Sequence, residues 1–519
     1  MASISRGGRT MKKCFAMMLA LLLSVSMTVL GFAADEETAV ETYGAPALKL
    51  GESGTEDGFC DRITVYEDEL DSKTKVWNKV NNPAVTGKEY RISLEEGKII
   101  AKDPLGAILY QGDDAGAAIN SAVQAAKGKG GAILIEAGDY AVKTTIELDH
   151  GLALWGIDRP LLKNVGAPIV INLAEGVSGV TLCNLMIDGG GEACNAFGIE
   201  CANYTRNNKL MDLFVFNVYQ HAISFRGAES KYNQVLRCKV VDSYTGAGIG
   251  FYNTAGDALV QDNYVLRTRF HTIIVSYGGS NMRILDNTVV QSGFYAEPDN
   301  VGHYAHGIAV DGYYGLAHGH NHLIQGNMVK DAGRAGIEVG DGQHDVIITG
   351  NVIEGTGKSK KELDTYGIYF GGSNCESINA VITHNTISDT NAAGIRVTAS
   401  VDMPFCESVL VAYNDISYSG QDGILVQRAN HVTVTHNRVL NSGCVIKNSQ
   451  GIAVKGMEDM ASNIIITENI CTDDRKKPRQ EFGLFLLNGR NVLVRGNEFS
   501  GNAEDDWFEL NCENLMFLD

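Results

Sequence analysis

Carboxylate and histidine side chains are concentrated in one stretch of this chain, His303–Asp345. Residues 303–311 read HYAHGIAVD, and residues 336–345 read GIEVGDGQHD. The two segments share the frame Gly-Ile-x-Val but carry different acids, Asp311 in the first and Glu338 in the second. A pair of carboxyl groups is the usual acid and base at a glycosidic bond. The frame is therefore interpreted as scaffold, and the two acids as candidates for chemistry.

Two short motifs recur along most of the chain and must position these residues. The first is Asn-x-apolar, with spacings from 23 to 40 residues, at Asn263, Asn287, Asn327, Asn351, Asn385, Asn414, Asn437, Asn469 and Asn497. The second is a Gly-Ile-x-Val type of strand, at Gly248, Gly307, Gly336, Gly367, Gly394, Gly423 and Gly451, with Gly483 a looser copy. Each repeat is too short to bury a core alone, whereas stacked copies bury a continuous one. We therefore predict an all-β solenoid in which the asparagines form a hydrogen-bonded ladder along the axis.

A capped helix precedes the repeats and predicts how the solenoid begins. Asp113 and Asp114 are suitable helix caps, and the glycines at 128–131 end the helical segment. The predicted apolar stripe consists of Ile119, Val123 and Ala126. Such a helix can cover the open end of the first coil, which would otherwise expose strand edges and core.

These features resemble the right-handed parallel β-helix of the pectin-lyase-like superfamily, over roughly residues 110–515. The resemblance rests on the Asn-x-apolar and Gly-Ile-x-Val coils and on the capping segment from Asp113 to Tyr140. It implies a carbohydrate-active protein, because that superfamily includes polysaccharide lyases, hydrolases, uronate epimerases, fructotransferases and phage tailspikes. It selects no branch: the Asp-Pro-His-Asp motif of mannuronan epimerases is absent from this sequence, and fold alone does not give function.

Departures from the repeat length predict where a cleft lies. The tightest coils take 9 residues from asparagine to glycine, as from Asn327 to Gly336, whereas Asn287 to Gly307 takes 20. Longer insertions also flank Gly367. The coil at Gly336, which has short loops on both sides, therefore lies between two coils with long loops. Extra loops on a rigid scaffold are where function usually sits. We therefore predict a cleft whose floor is the coil at Gly336.

The floor of this cleft is predicted from the alternation of side chains along a strand. In Gly-Ile-x-Val the isoleucine and valine point inward, so x and the second residue after it point outward. Asp311 and Glu338 then lie diagonally on neighbouring coils, with Cα atoms about 8 Å apart. Inverting glycosidases hold their carboxyl groups roughly 6.5–9.5 Å apart. Tyr369 and Arg396 follow on the next two coils as candidate substrate-binding residues.

Further polar residues around the floor are weaker candidates. Asp341 is a possible second acid, and Asp341 and Asp345 are candidate oxygen ligands for Ca²⁺; no cofactor is expected to be obligatory. The remaining candidate substrate-binding residues, all in the flanking loops, are His303, His306, Tyr313 and Tyr314. Exposed acids are commonly only solvated, and loop histidines commonly have a solvated or hydrogen-bonded role, so that alternative stays open for each of them.

Three alternating histidines form a separate pattern. His318, His320 and His322 would share one face of an extended strand. Together with a carboxylate, such a face could hold a transition metal. Histidines in a glycine-rich loop are more often solvated, so both interpretations remain open.

The N-terminus and the overall charge define the expected compartment and partners. Residues 1–33 combine four basic residues, an apolar run and a small-residue end, as in a secretory signal peptide. Removing four positive charges from a net charge of −19 leaves −23, which disfavours nucleic-acid binding. We predict a secreted protein without a stable membrane insertion after cleavage, whose partner is a poly- or oligosaccharide. The predicted organisation is a signal peptide at 1–33, an acidic leader with a small N-terminal extension at 34–110, and a catalytic β-helix at 111–519.

Three functions are compatible with these features of the sequence. The leading one is a glycoside hydrolase or transglycosylase in which Asp311 and Glu338 are the acid and base. The second is a polysaccharide lyase or uronate epimerase, in which Arg396 or a histidine takes the proton and Ca²⁺ neutralises the substrate acid. The third is a surface solenoid that binds glycans without catalysis. The oligomeric state is not predicted.

Overall fold

The computed structural model describes residues 87–518, apart from 228, 254, 297–304, 313–317, 358–364, 373–375, 400–404 and 458. The chain divides into two units, Met1–Trp77 and Asn78–Asp519, and all described residues lie in the second. The predicted signal peptide and most of the acidic leader lie outside the described residues. Within the described part of the chain, no helix has the length and apolar character needed to span a bilayer.

Three sheets run along one axis, and nearly every coil contributes one strand to each of them. The first sheet contains Tyr90–Glu95, Lys98–Lys102, Ile108–Gly112, Gly131–Ile135, Leu152–Gly156, Thr181–Cys183, Lys209–Met211, Gln234–Leu236, Leu259–Gln261, Arg283–Leu285, Gly319–Gln325, Gln343–Thr349, Ile378–Thr383, Cys406–Ala412, Ala429–Thr435, Ala461–Thr467, Gly489–Arg495 and Met516–Leu518. The second contains Asp139–Val142, Leu161–Asn164, Met186–Asp188, Phe214–Val218, Lys239–Ser243, Tyr264–Thr268, Thr288–Val290, Met328–Ala332, Val352–Thr356, Thr386–Ser388, Asp415–Ser417, Arg438–Leu440, Ile470–Thr472 and Glu498–Ser500. The third contains Ile146–Leu148, Ile169–Leu173, Phe197–Cys201, Ile223–Arg226, Ile249–Tyr252, Ile273–Ser276, Ile308–Asp311, Ile337–Gly340, Ile368–Gly372, Ile395–Ala399, Ile424–Gln427, Ile452–Lys455, Phe482–Leu487 and Asp505–Leu510.

Pairing between coils is parallel, and the fold is the predicted right-handed parallel β-helix. Antiparallel pairing occurs at the N-terminal end, where Tyr90–Glu95 pairs with Lys98–Lys102 and the latter with Ile108–Gly112. Tyr90–Glu95 also pairs in parallel with Gly131–Ile135. These strands therefore join the first sheet at its first coil.

The core is a stack of equivalent apolar residues inside the coils. In the third sheet the isoleucine of each Gly-Ile-x-Val type strand is fully buried: Ile223, Ile249, Ile273, Ile308, Ile337, Ile368, Ile395, Ile424 and Ile452. Neighbouring strands pair these isoleucines directly, as Ile308 with Ile337 and Ile337 with Ile368. Burying one such side chain stabilises the fold by about 1.5–3 kcal/mol. The repeated motif therefore sets both the core and the register.

The predicted asparagine ladder is confirmed over all nine positions from Asn263 to Asn497. In each step the side-chain Nδ2 of one asparagine donates to Oδ1 of the next at 2.9–3.0 Å. The backbone N–H of each donates to the same Oδ1 at 2.9–3.0 Å. A buried amide needs such partners, because leaving it unsatisfied costs about 1–3 kcal/mol. The asparagines are structural.

The predicted capping helix is also confirmed. It spans Ala115–Ala126, and Asp114 is its N-cap, with Oδ1 accepting from the backbone N–H of Gly116 at 2.9 Å. The residues of the predicted stripe are all buried: Ile119, Val123 and Ala126. A second, one-turn helix spans Gly191–Cys194.

Candidate functional site

The strand register on the outer face of the third sheet agrees with the prediction. Ala309 pairs with Glu338, Glu338 with Tyr369, and Tyr369 with Arg396. Two residues further along the same two strands, Asp311 pairs with Gly340. Asp311 and Glu338 therefore lie diagonally on neighbouring coils, as predicted.

Glu338 is held by a histidine from the preceding coil. His306 Nε2 lies 2.8 Å from Glu338 Oε2, and the two side chains are 4% and 22% exposed. His306 directly precedes Gly307 and lies just before the strand Ile308–Asp311. Glu338 is therefore not merely solvated, and its contact with His306 is compatible with the solvated or hydrogen-bonded role expected of that histidine.

A second histidine sets the orientation of the first. His271 occupies the equivalent position one coil earlier, and its ring stacks on His306 with centroids 5.3 Å apart and planes 9° apart. His271 Nδ1 accepts from the backbone N–H of His306 at 3.3 Å, and His306 Nδ1 accepts from that of Ala335 at 3.1 Å. An imidazole nitrogen that accepts carries no proton, so this pattern assigns the proton of neutral His306 to Nε2. The protonated Nε2 of His306 therefore lies 2.8 Å from Glu338 Oε2, as a close polar contact rather than an aligned hydrogen bond.

The environment of Glu338 keeps its carboxyl group ionised. Burial by itself raises the pKa of Glu338, but the electrostatic influence and the hydrogen bond of His306 oppose it. His271 and Arg334 act in the same direction as His306, and together they lower the pKa of Glu338 to about 2. Burial lowers the pKa of His271 to about 3, with His306 the next contribution. At neutral pH the site thus contains an ionised carboxylate beside a neutral, buried His271.

The absence of a side chain at Gly340 leaves room beside Glu338. Gly340 lies beside Asp311 in the register, and a Cβ added to it would be 3.7 Å from Glu338 Oε1. Because Oε2 lies 2.8 Å from His306 Nε2, Oε1 is the oxygen next to this gap. A small group therefore fits beside Glu338 Oε1.

Aromatic and cationic side chains continue the face on the next coils. The rings of Tyr366 and Tyr369 are stacked at 5.7 Å with planes 24° apart. The guanidinium carbon of Arg396 lies 4.9 Å from the centre of the Tyr366 ring. Arg396 donates to Tyr366 Oη and, at 3.0 Å, to Gln427 Oε1. Arg396 is therefore in the predicted place, held by neighbouring side chains.

The outer face of the third sheet is more enclosed than its sequence suggests. The outward-pointing positions at Ala309 and Ala453 are fully buried, and Leu425 is 8% exposed. Tyr366, Leu425 and Ala453 belong to one apolar cluster against which Tyr369 packs. The floor is therefore a packed surface with an opening at Glu338, rather than a uniformly solvated face.

Several predicted residues lie outside the described residues, namely His303, Tyr313 and Tyr314. Most of the long insertions that predict the cleft walls lie there too. The walls therefore stay a prediction, while the floor they would enclose is described.

The two candidate calcium ligands, Asp341 and Asp345, make different contacts. Asp341 follows the strand Ile337–Gly340, and its backbone N–H donates to Gly371 O at 3.0 Å. Asp345 accepts from Asn379 Nδ2 at 2.5 Å on the outside of the first sheet. Within the described residues, no group of three or more His, Cys, Asp or Glu side chains is arranged to hold a metal. A calcium site at Asp341 and Asp345 stays a prediction.

The expectation that His318, His320 and His322 share one face is wrong. His318 and His320 are exposed, whereas His322 is 2% exposed and lies in register with the core residue Val346. Asn321 has a left-handed backbone, with φ of 61°, which interrupts the alternation of the strand. His322 is directed inward as a result, and its Nε2 lies 3.0 Å from Gln343 Oε1.

Three residues that contact or influence the site were missed from the sequence: His271, Arg334 and Tyr366. His271 and Tyr366 share with His306 the position directly before the third-sheet frame, as the pairing of Ile273, Ile308, Ile337 and Ile368 shows. Aligning that position across coils would have found both. Arg334 lies in a turn, and its effect on Glu338 needs tertiary structure.

Family models match two parts of the chain. One described as "Right handed beta helix region" matches residues 405–517, and one described as "Periplasmic copper-binding protein (NosD)" matches residues 299–443. Each covers less than half of the chain. A search of curated proteins finds no match.

Solved structures share the fold at low sequence identity. A double mutant of the tailspike protein of E. coli bacteriophage HK620, in complex with a pentasaccharide, has a TM-score of 0.57 and 14% identity, covering 82% of this chain and 80% of that one. A single mutant of the same tailspike, also with a pentasaccharide, gives the same values. The A-module of a mannuronan C-5 epimerase from Azotobacter vinelandii has a TM-score of 0.39 and 15% identity, covering 77% of this chain and 95% of that one. At 14% identity the likeness to the tailspike structures establishes the fold alone, a right-handed parallel β-helix.

Proposed function

We propose that this protein is a secreted enzyme that cleaves glycosidic bonds in a poly- or oligosaccharide. The observation that carries the proposal is the ionised Glu338 carboxylate, fixed by His306 and diagonal to a second acid, Asp311, on a rigid face. Such a pair of acids, on neighbouring coils about 8 Å apart at Cα, suits an inverting hydrolase.

Glu338 is assigned the role of the ionised partner. Its free oxygen, Oε1, faces the gap at Gly340, where it would orient the attacking water. A carboxylate with a pKa of about 2 is a weak base, so its negative charge matters more than its basicity. That charge would stabilise the positive charge that develops on the sugar ring in an oxocarbenium-like transition state.

Asp311 is assigned the role of the acid. It would protonate the oxygen of the leaving sugar, which requires the carboxyl group to hold a proton in the bound complex. Asp341, one residue beyond Gly340, is the reserve acid if Asp311 does not serve.

Substrate binding is assigned to the coils that follow Glu338. Tyr369 pairs with Glu338 across the strands, and its ring and that of Tyr366 form an aromatic surface suited to the apolar face of a sugar. Arg396, fixed by Tyr366 and Gln427, would orient a hydroxyl or carboxylate group. The tailspike structures with a bound pentasaccharide share this fold and are consistent with a saccharide partner.

The proposal is tested by incubating the secreted chain with neutral and uronate polysaccharides, each with and without chelator. New reducing ends are expected without unsaturated products, and chelator should have no effect. Glu338→Gln should lower turnover by about 10²–10⁴-fold, the usual contribution of such a group, with the fold unchanged. Glu354→Gln is the matched control, because Glu354 is 54% exposed and pairs with Lys330 on the second sheet.

Each alternative function has its own result in this assay. Unsaturated, ultraviolet-absorbing ends would establish a lyase instead of a hydrolase. Saccharide binding without any product would favour a non-catalytic solenoid. Full activity of Glu338→Gln would show that the site is elsewhere. Detection of residues 1–33 on the exported protein would contradict cleavage of the signal peptide.

A further inference from the structure

A second glutamate occupies the same outward position as Glu338 on the third sheet. Residues 198–200 read GIE, as do residues 336–338. Consecutive strands pair Glu200 in register with Ser224, then Gly250, Ile274, Ala309 and finally Glu338. Five steps between coils place the two glutamate positions about 24 Å apart along the axis. Both glutamates therefore belong to one row on one face of the solenoid.

Glu200 lies beside an arginine from the following coil. Arg226 Nε lies 3.4 Å from Glu200 Oε1, and the two side chains are 37% and 18% exposed. The contact is not an aligned hydrogen bond, since this Nε has no hydrogen-bond partner among the residues that the structure describes. The pair therefore offers a carboxylate acceptor and a guanidinium donor side by side, both reachable from solvent.

Aromatic rings fix the position of the guanidinium group. Its central carbon lies 5.0 Å from the centre of the Phe197 ring and 5.9 Å from that of Tyr252. Tyr252 is itself held, because its Oη lies 3.1 Å from His221 Nδ1, and this nitrogen accepts from the backbone N–H of Ala247 at 3.0 Å. Arg226 is thus positioned before a ligand arrives, which reduces the entropic cost of binding.

A buried hydroxyl group beside the pair lacks a partner. Ser224 pairs with Glu200 in the register and lies two residues before Arg226 in the strand Ile223–Arg226. Its side chain is fully buried, and its Oγ has no hydrogen-bond partner within the described part of the chain. Buried polar groups are normally satisfied, because leaving one unpaired costs free energy. A ligand hydroxyl group that enters beside Glu200 would supply the missing partner.

We propose that Glu200, Ser224 and Arg226 bind the hydroxyl groups of a neutral sugar unit, as a distal subsite for the glycan chain that reaches Glu338. Sugar hydroxyl groups both donate and accept, so one can donate to Glu200 while its neighbour accepts from Arg226. A uronate carboxylate is disfavoured there, because it would lie against the carboxylate of Glu200. The role as a subsite rests on the proposed function, and the separation of about 24 Å requires a chain of several sugar units.

The test measures binding by calorimetry on the full chain carrying Glu338→Gln, with short and long neutral oligosaccharides and their uronate counterparts as probes. Long neutral probes should bind more tightly than short ones, because only they reach both positions. Adding Arg226→Gln should weaken the binding of long neutral probes by about tenfold or more, as expected for a hydrogen bond to a charged group.

Ser224→Ala separates binding from a purely structural role. The substitution removes a hydroxyl group that has no partner in the free protein, so the melting temperature should not fall. The binding of long neutral probes should nevertheless weaken, by about fivefold. Glu200→Gln should shift the preference toward uronate probes, because it removes the opposing charge.

The matched control is Arg206→Gln. Arg206 is also a half-exposed partner of a glutamate, but its Nη2 already donates to Glu229 Oε2 at 2.6 Å. This variant should bind the probes like the Glu338→Gln parent. The subsite is refuted if Arg226→Gln and Ser224→Ala also bind like the parent, if no neutral probe binds, or if uronate probes bind the parent more tightly. Weakened binding in those two variants, without any bond cleavage by the wild type, would support the subsite and refute only the proposed enzyme.

Discussion

Two pairs of side chains in neighbouring coils show how position changes the chemistry of histidine. His306 and Glu338 lie against the third sheet with side chains 4% and 22% exposed, and they are 2.8 Å apart. His318 and His344 lie on the first sheet, where His318 is exposed and His344 partly exposed, and they are 3.3 Å apart. The distances are similar, but the surroundings differ.

Enclosure decides what each pair can do. At Glu338 the protein surrounds Oε2, so the carboxylate stays ionised and His306 keeps one tautomer. A fixed charge of this kind suits a reaction centre, because it costs no reorganisation when the substrate arrives. At His344 solvent supplies part of the environment, so both rings of this pair also contact water. Breaking each pair in turn measures the effect of this difference in enclosure.

The largest effect is expected when the enclosed pair is broken. His306→Leu leaves the Glu338 carboxylate enclosed without its donor, which should lower the free energy of unfolding by about 3–5 kcal/mol. Chemical denaturation at neutral pH measures the loss. The double variant His306→Leu/Glu338→Leu should recover a large part of it, since no unpaired charge remains. If the double variant is as unstable as the single one, the unpaired Glu338 carboxylate is not the source of the cost.

The next effect is a pH dependence that belongs to Glu338. Its pKa is lowered from 4.5 to about 2 in the folded protein. A lowered carboxyl pKa contributes stability that is complete above pH 4.5 and is lost as the pH falls toward 2, here about 3 kcal/mol in all. The stability difference between wild type and Glu338→Gln should therefore shrink by that amount between neutral pH and pH 2. A difference that stays constant with pH would contradict the ionised state of Glu338.

A smaller effect is expected at the residue that separates His320 from His322. Asn321 has φ of 61°, and a β-branched residue is strained there by about 1–2 kcal/mol. Asn321→Val should lower stability by that amount relative to Asn321→Gly, which also lacks the amide that donates to Asn281 Oδ1. Thermal and denaturant unfolding of the two variants measures the difference. Equal stability would mean that the left-handed backbone is not needed to direct His322 inward.

The smallest effect is expected when the outer pair, His318 and His344, is broken. His344→Leu should change the free energy of unfolding by less than about 0.5 kcal/mol, as for most surface substitutions. Comparing this value with that of His306→Leu in the same buffer gives the contrast between the pairs directly. A loss above 2 kcal/mol at His344 would show that the two pairs are energetically alike.

The repeated parts of the fold could be predicted from the sequence because each local preference agrees with the next. Isoleucine and valine alternate with polar residues, and asparagine recurs at one turn of every coil, so each coil specifies its own register. That periodicity placed Glu338 beside Tyr369 and diagonal to Asp311 without any structure. It also predicted the helix over Ala115–Ala126 from its cap and its apolar stripe.

The chemistry of the side chains depended on contacts that no single coil contains. The ionised state of Glu338 depends on His306 and His271 from two earlier coils, and their rings meet only when the coils stack. The pairing of His318 with His344 arises because Asn321 turns His322 into the core and adjacent strands align the rest. The sequence by itself determined the scaffold, since period and hydrophobicity are local properties. Only the tertiary structure decided which residues share a site, because burial and hydrogen bonding are properties of neighbours in space.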